Sequence, residues 1–157
     1  MQAIDIDGKY HEVSPDEIQW RPSVYAIVIK DSKILLSPQH GKGYNLPGGG
    51  VNLGESLEVA VVRETKEETG LDVRVIRTLT VYDNLFKVTR PGAQGVYHAI
   101  MVHYLCEMTG GNLSNAGFGE YEKDYAQLAE WVPLEKLDTI SPAASYDWRE
   151  IVRAAIS

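Results

Sequence analysis

The chain has 157 residues, 44% of them apolar and 24% charged, and this length suits one globular domain with a single core. Its formal charge of −7 argues against a protein that coats nucleic-acid polymers, because such proteins need a basic face. Small free nucleotides stay open as ligands, since a bound metal can supply positive charge locally. The sequence shows neither a secretory leader nor a long apolar run, so we expect a cytoplasmic protein with no membrane span.

The first predicted element is a β-hairpin over 3–6 and 9–13. Its strands flank Asp7-Gly8, a dipeptide that favours a tight turn. Two further strands are predicted over 24–29 and 34–36. The only cysteine, Cys106, excludes an internal disulfide and is expected to be a buried structural thiol in a later strand.

A glycine-led loop then runs into an acidic helix. The triplet Gly48-Gly49-Gly50 favours close approach of the backbone to a ligand or a metal. Ser56 is a suitable N-cap for a helix over 57–69, and Gly70 provides a left-handed stop. The residues expected to face the core from this helix are Leu57, Ala60, Val61 and Thr65.

The rest of the chain reads as strands followed by a closing helix. Strands are predicted over 73–81 and 96–106, with a polar loop over 107–128. Trp131-Val132 indicates a short edge strand, and Ser141-Pro142 is expected to begin the last helix. This order of strands, helix, strands and helix predicts an α/β protein in which a mixed sheet lies between helices.

The helix over 57–69 carries the strongest chemical signal. Glu64, Glu67 and Glu68 stand at i, i+3 and i+4, so their carboxylates share one helical face. Hard oxygen ligands at this density suit Mg²⁺, with Mn²⁺ as the alternative ion. Arg63 can pair with Glu67 one turn on and hold it in orientation.

These residues resemble the signature of the Nudix hydrolases (MutT-like), G-x5-E-x7-R-E-U-x-E-E-x-G-U, where U is bulky and apolar. Thr65 is the one departure from it. The resemblance implies a Nudix fold with an α/β/α arrangement, here as a single domain of residues 1–157 with a hairpin extension over 1–22 and a core over 23–157. The matching positions are Gly49, Glu55, Arg63, Glu64, Glu67, Glu68, Gly70 and Leu71.

The resemblance also implies an activity and a set of site residues. The expected reaction is Mg²⁺-dependent hydrolysis of the diphosphate in a nucleoside diphosphate linked to another moiety, such as a nucleoside triphosphate, ADP-ribose or a nucleotide sugar. The expected metal ligands are Glu64, Glu67, Glu68 and a backbone carbonyl of Gly48 or Gly49. Glu55 and Gly50 are expected to support the site.

The general base is left open by the sequence. Glu67 and acids of the loop after the later strands, Glu120, Glu122 and Asp124, are the candidates. The resulting catalytic set is Glu67, Arg63, Glu64 and Glu120. Asn52 stands where the family often has an acid; its amide accepts hydrogen bonds but adds no charge, and the sequence leaves open the effect on metal number and substrate preference.

No substrate-binding residue is assigned by the sequence. The available aromatic and cationic side chains are Tyr44, Tyr82, Phe86, Tyr97, Phe118, Arg74, Arg77, Lys87 and Arg90. His98 and His103 are five residues apart on one strand, so at most one of them faces a cleft.

Two other functions compete with the enzyme. One is a catalytically silent nucleotide-binding or regulatory domain, which would be expected to lose a glutamate of the signature. The other is an acidic protein-interaction module. The predicted partner is a small-molecule nucleotide, and the edge of the N-terminal hairpin is a candidate surface for a homodimer.

Overall fold

The computed structural model describes residues 1–90, 93–124 and 126–157; the side chain of Asp124, a predicted candidate base, lies outside the described part. Within these residues, the strands and α-helices are accompanied by three short 3₁₀ turns. The strands and α-helices are β1 (Gln2–Ile4), β2 (Tyr10–Glu12), β3 (Ile18–Lys30), β4 (Lys33–Gln39), β5 (Gly43–Asn45), β6 (Gly48–Gly50), α1 (Leu57–Thr69), β7 (Leu71–Arg90), β8 (Ala93–Gly111), β9 (Glu130–Pro133) and α2 (Arg149–Ile156).

The strands form a mixed sheet in the order β2-β1-β7-β8-β3-β4-β5, with β6 paired to β3 and β9 to β4. β3 runs parallel to β8, and β1 runs parallel to β7. Alternation along β3 gives the sheet two buried faces. Val24 packs in one core with Ala60 of α1, whereas Ile27 packs in another with Val152 of α2 and with Trp148, which directly precedes α2. The predicted α/β arrangement of a mixed sheet between helices is therefore confirmed.

The N-terminal hairpin is present and extends the sheet. β1 and β2 pair in antiparallel fashion around a turn in which Gly8 has a φ of +79°. The buried carboxylate of Asp5 accepts backbone hydrogen bonds from Asp7 and Lys9, each at 2.9 Å, and lies 2.7 Å from the His11 ring. These bonds fix the turn next to β7, while the dimer expected from its edge stays a prediction.

Helix α1 has the predicted bounds. The Ser56 hydroxyl accepts a hydrogen bond from the Val59 amide at 3.2 Å, and Gly70 ends the helix with a φ of +79°. Ala60, Val61 and Thr65 are buried as expected. Leu57, expected to face the core, is instead 39% exposed, and its neighbours Glu58 and Val59 in the first turn are exposed as well.

Three other predictions of secondary structure need correction. β7 and β8 are much longer than expected, because they pair with each other from Leu71↔Gly111 to Arg90↔Ala93. The predicted loop over 107–128 therefore begins only after Gly111. The last helix begins at Arg149 and not at Ser141, because segment 141–148 is hydrogen-bonded to β5.

Two further observations concern the cysteine and the lengths of the helices. Cys106 is buried as predicted, and burial raises the pKa of its thiol to about 12. Within the described residues, no helix is long and apolar enough to cross a membrane.

The C-terminal stop of α1 provides a test of the fold. A Cβ at Gly70 would lie 2.3 Å from the Asn112 carbonyl oxygen, whereas a Cβ at Gly54, which has a similar φ of +81°, would have no atom within 4 Å. Both alanine variants bear a left-handed backbone cost of about 1–2 kcal/mol. We expect Gly70→Ala to lose at least about 1 kcal/mol more unfolding free energy than Gly54→Ala, because steric overlap adds to the backbone cost.

Urea unfolding followed by circular dichroism measures this difference. Equal losses in the two variants would contradict the tight packing of the 112–114 segment on the end of α1.

Candidate functional site

The guanidinium of Arg63 is the centre of the site. It donates to both carboxylate oxygens of Glu55, at 2.6 and 2.9 Å, and to the Glu64 carboxylate at 2.8 Å. It also donates to Glu67 at 3.2 Å, so the predicted i,i+4 pair is present, and to the Gly50 carbonyl at 3.1 Å. One planar group with five donors thereby orients three carboxylates and the glycine strand.

A second set of carboxylates lies next to this network. Glu64, Glu68 and Glu122 each contribute one oxygen, and these oxygens all lie within 4.8 Å of one another. Glu64 and Glu68 come from the predicted helical face, whereas Glu122 comes from the loop after β8. Three hard oxygen donors that converge in this way fit Mg²⁺ or Mn²⁺.

The glycine strand β6 approaches this cluster closely. A Cβ at Gly49 would lie 2.7 Å from a Glu64 carboxylate oxygen, so only glycine leaves room for that carboxylate. The Gly48 amide donates to Glu68 at 3.1 Å. Because the N–H and C=O of one strand residue point the same way, the Gly48 carbonyl also points toward α1.

The loop that contains Glu122 is held against the end of α1. The Ser114 amide donates to the Thr69 carbonyl at 2.9 Å, and the side chain of Phe118 is buried. The Gly119 amide donates to the Glu122 carboxylate at 2.9 Å. These contacts bring a residue distant in sequence to the helical glutamates.

The acidic groups experience two different electrostatic environments. Burial raises the pKa of Glu64, and it raises the pKa of Glu68 well above its usual range, although the Gly48 amide acts against this. Hydrogen bonds from the Arg63 side chain and from the backbone N–H of Asn52 lower the pKa of Glu55 to about 2. Glu55 is therefore fixed as an anion beside Arg63, whereas burial disfavours the anionic forms of Glu64 and Glu68.

Other predicted site residues lie at the margin. The Glu67 side chain is 42% exposed and pairs with Arg63, outside the three-carboxylate cluster. Glu120 and the Asn52 side chain are exposed, and neither lines the pocket around the cluster. Among the described acidic side chains of this loop, Glu122 is thus the one that lies beside Glu64 and Glu68.

The acidic pocket opens into a larger cleft of about 410 Å³. Arg21, Tyr25, Gln39 and Asn45 line both spaces, so the two form one continuous site. Cationic and aromatic side chains are concentrated in the cleft even though the chain carries a net charge of −7. Those side chains are Arg21, Tyr25, Lys42, Phe86, Lys87, Arg90 and Tyr146.

The structure brings together some of the candidate binding residues and separates others. Phe86, Lys87 and Arg90 line the cleft, and Tyr82 stacks on Tyr146 at 5.4 Å. The candidates outside the cleft lining are Tyr44, Tyr82, Tyr97, Phe118, Arg74 and Arg77.

Arg21, Tyr25, Lys42 and Tyr146 were missed by the sequence reasoning. For Arg21 and Tyr25 a signal exists, because they alternate along β3 with Val24 and Ala26, which face the core around α1. Lys42 and Tyr146 lie in irregular segments, where no sequence periodicity marks the direction of a side chain.

Comparison with known proteins places the chain in a family. The NUDIX domain model matches residues 19–153. This chain belongs to the NUDIX family. The match, together with the names of its relatives, supports the predicted class of enzyme, a Nudix-type nucleotide pyrophosphohydrolase.

Two kinds of relative illustrate the range of the family. An ADP-ribose pyrophosphatase of Methanocaldococcus jannaschii is 36% identical over 135 residues, which cover 83% of this chain and 70% of the relative. The NAD-capped RNA hydrolase NudC of Vibrio atlanticus is 33% identical over 129 residues. The match covers 79% of this Nudix chain but only 41% of the length of that relative.

Solved structures support the Nudix fold. A UDP-X diphosphatase aligns with a TM-score of 0.64 at 21% identity, over 87% of this chain and 61% of the other. An ADP-ribose pyrophosphatase from Streptococcus suis aligns with a TM-score of 0.62 at 22% identity, over 87% of this chain and 89% of the other. At these sequence identities the structural similarity is evidence for the fold alone.

The convergence of three carboxylates generates a metal-binding prediction. We expect Mg²⁺ to raise the Tm of this Nudix chain, because a ligand at 100 times its Kd stabilises a fold by about 2.7 kcal/mol. Glu122→Gln should remove most of this rise, since it deletes one of the three converging charges. Glu120→Gln is the matched control from the same loop and should retain it; equal effects of the two variants in differential scanning fluorimetry would contradict the assignment.

The response to Mg²⁺ should also depend on pH. The raised pKa values of Glu64 and Glu68 stabilise the metal-free fold below the ordinary carboxyl value of 4.5, and this contribution is lost as the pH rises through the raised values. Metal binding needs the ionised carboxylates. We therefore expect a larger Mg²⁺-induced rise in Tm at pH 8 than at pH 5.5, and an equal rise at both would be inconsistent with these ligands.

Proposed function

We propose that this Nudix chain is a Mg²⁺-dependent hydrolase of the diphosphate linkage in a nucleoside diphosphate joined to another moiety. The observation that carries this proposal is the junction of a three-carboxylate cluster with a cleft rich in cationic and aromatic side chains. ADP-ribose is the first substrate to test, since the relative from Methanocaldococcus jannaschii is named for it.

The donor set fits a divalent metal. Glu64, Glu68 and Glu122 would hold it, with the Gly48 carbonyl as a backbone ligand on the same side. Glu67, also expected as a ligand, lies beside Arg63 and outside this cluster, so we place it next to the metal and not among its ligands. When bound, a divalent metal would neutralise charge on phosphate oxygens and lower the pKa of attacking water.

Arg63 has the role of positioning the acidic residues. Its bonds to Glu64 and Glu67 fix two glutamates of the signature, and its two bonds to Glu55 fix its own plane. Glu55 thus acts on the site through Arg63, and the Gly50 carbonyl ties the same guanidinium to β6. This rigid frame keeps the carboxylates in one arrangement during reaction.

The cleft next to the cluster would bind the rest of the nucleotide. Arg21 would provide positive charge for phosphate, and Lys42, which is paired with Asp7 of the same lining, would provide a second cation. The rings of Tyr25, Phe86 and Tyr146 are surfaces against which a base or ribose can pack. Because Tyr25 lines both spaces, the scissile diphosphate would lie beside it.

Glu67 is the candidate general base that the geometry favours over Glu120. It stands beside the cluster and is partly exposed, so water can reach it, whereas Glu120 does not line the pocket. Glu122 lies within the cluster and is better placed as a ligand. Loss of a general base lowers kcat by about 10²–10⁴-fold and leaves metal binding intact, whereas loss of a metal ligand weakens metal binding as well.

Two alternatives accompany this proposal. A silent nucleotide-binding domain is disfavoured because Glu64, Glu67 and Glu68 are all present. An NAD-capped RNA is a second candidate substrate, since relatives at about one-third identity carry that name, although the charge of −7 disfavours extensive contact with a polymer. The cytoplasmic location, the single-domain division and the homodimer stay predictions.

Hydrolysis of a substrate panel with Mg²⁺ tests the proposal. The panel contains ADP-ribose, nucleotide sugars, nucleoside triphosphates, dinucleoside polyphosphates and an NAD-capped oligoribonucleotide, with products resolved by chromatography. We expect turnover of a small nucleotide, and a loss of at least about 100-fold in kcat for Glu67→Gln with the Mg²⁺-induced rise in Tm retained.

Glu120→Gln is the matched control and should retain activity. Turnover of the capped oligoribonucleotide and of no small nucleotide would show that the substrate is a capped RNA. No turnover of any compound, with metal binding intact, would favour the silent nucleotide-binding domain.

A further inference from the structure

His103 is a buried polar residue that the proposed chemistry does not use. Its side chain is fully buried in β8, on the face of the sheet toward the cleft. Its Nε2 lies 2.7 Å from the hydroxyl of Tyr146, and its ring stacks on Tyr25 at 5.5 Å. Burial lowers the pKa of His103 to about 4, so the imidazole is neutral at ordinary pH.

Both partners of His103 line the cleft. Tyr25 is also in contact with the glycine strand, because a Cβ at Gly48 would lie 2.7 Å from its ring. Tyr146 belongs to the segment 141–148 between β9 and α2. One imidazole therefore contacts both the ring at the acidic end of the cleft and the ring that segment 141–148 contributes to a wall of the cleft.

The segment 141–148 forms that wall without being helical. Its first part is bonded to β5, where the Tyr44 amide donates to Ser141 at 2.9 Å and the Ala143 amide donates to Tyr44 at 2.7 Å. Its last residue, Trp148, is fully buried and donates from its indole to the Tyr44 carbonyl. The lining residues Ala144, Ser145 and Tyr146 lie between these two anchors.

Within the middle of the segment, Tyr146 is the main side-chain anchor. Its ring stacks on Tyr82, and its hydroxyl is bonded to His103. Ser145 accepts a hydrogen bond from the Asn84 amide side chain. The pKa of Tyr146 is raised by burial, and so its hydroxyl remains protonated and able to keep the bond.

We propose that His103 is a positioning residue for substrate binding, which acts through the Tyr146 hydroxyl to hold segment 141–148 as one wall of the cleft. A buried polar pair at this place fixes one arrangement of the wall, because breaking it would leave a polar group unsatisfied in the sheet interior. This inference rests on the proposed function for its kinetic consequence, but its structural consequence is independent of any substrate.

Tyr146→Phe is the sharpest variant, because it removes only the hydroxyl and keeps the ring. Tyr82→Phe is its matched control, since it removes a hydroxyl from the stacked ring and leaves the bond to His103 intact. Hydrogen exchange of the 141–148 amides should become about three- to tenfold faster in Tyr146→Phe and stay unchanged in Tyr82→Phe. Unchanged exchange in both variants would overturn the inference, whether or not a substrate is known.

The kinetic arm uses ADP-ribose with Mg²⁺, or the substrate that the panel identifies. We expect Tyr146→Phe to raise KM about three- to tenfold, with kcat and the Mg²⁺-induced rise in Tm within twofold of the parent chain. His103→Leu should raise KM in the same way. His103→Gln should restore it in part, because an amide can donate or accept at a reach similar to Nε2.

The outcomes separate this inference from the proposed function. Faster exchange with no turnover of any substrate would support the positioning role and refute the hydrolase. Normal exchange and normal KM in Tyr146→Phe would refute the positioning role and leave the hydrolase intact. A fall in kcat alone would also overturn the inference, since it would place the pair in the chemical step.

Discussion

The bonds of Arg63 to Glu55, Glu64 and Glu67 are the constraint on which the site depends. Carboxylates at i, i+3 and i+4 on one helix repel each other, and a buried glutamate loses hydration as well. A guanidinium can counter this at several points at once, because its donors lie in one plane with fixed angles. Lysine would offer a point charge on a flexible stem and could not hold three acids in fixed directions.

The remaining structure is arranged around that helix. Ser56 and Gly70 set its two ends, and the glycine strand approaches the Glu64 carboxylate where a side chain would be in the way. The loop after β8 then closes over its C-terminal end and adds Glu122. A local helix signal, a close backbone approach and a long-range loop contact thus produce one acidic pocket.

The sequence predicted the parts of this site that are local in the chain. The helix bounds, the Ser56 cap and the Arg63–Glu67 pair follow from spacing within one turn. Glu122 could be only one candidate among several acids, because its position depends on the burial of Phe118 and on the close approach of Gly117 to the backbone of α1. The lengths of β7 and β8 were underestimated for a similar reason, since strand pairing overrides weak polar patterning.

The distribution of charge links metal binding to nucleotide binding. Without a metal, Glu64, Glu68 and Glu122 repel a diphosphate, and the cations of the cleft can attract only its outer groups. In the proposed function, the same pocket would accept an anion next to Arg21 once those three charges are neutralised. Each ligand would then raise the affinity for the other by the same factor, as linkage requires. Such coupling would let a chain of charge −7 present an anion-binding cleft, because the attraction would arise where acidic side chains have been neutralised.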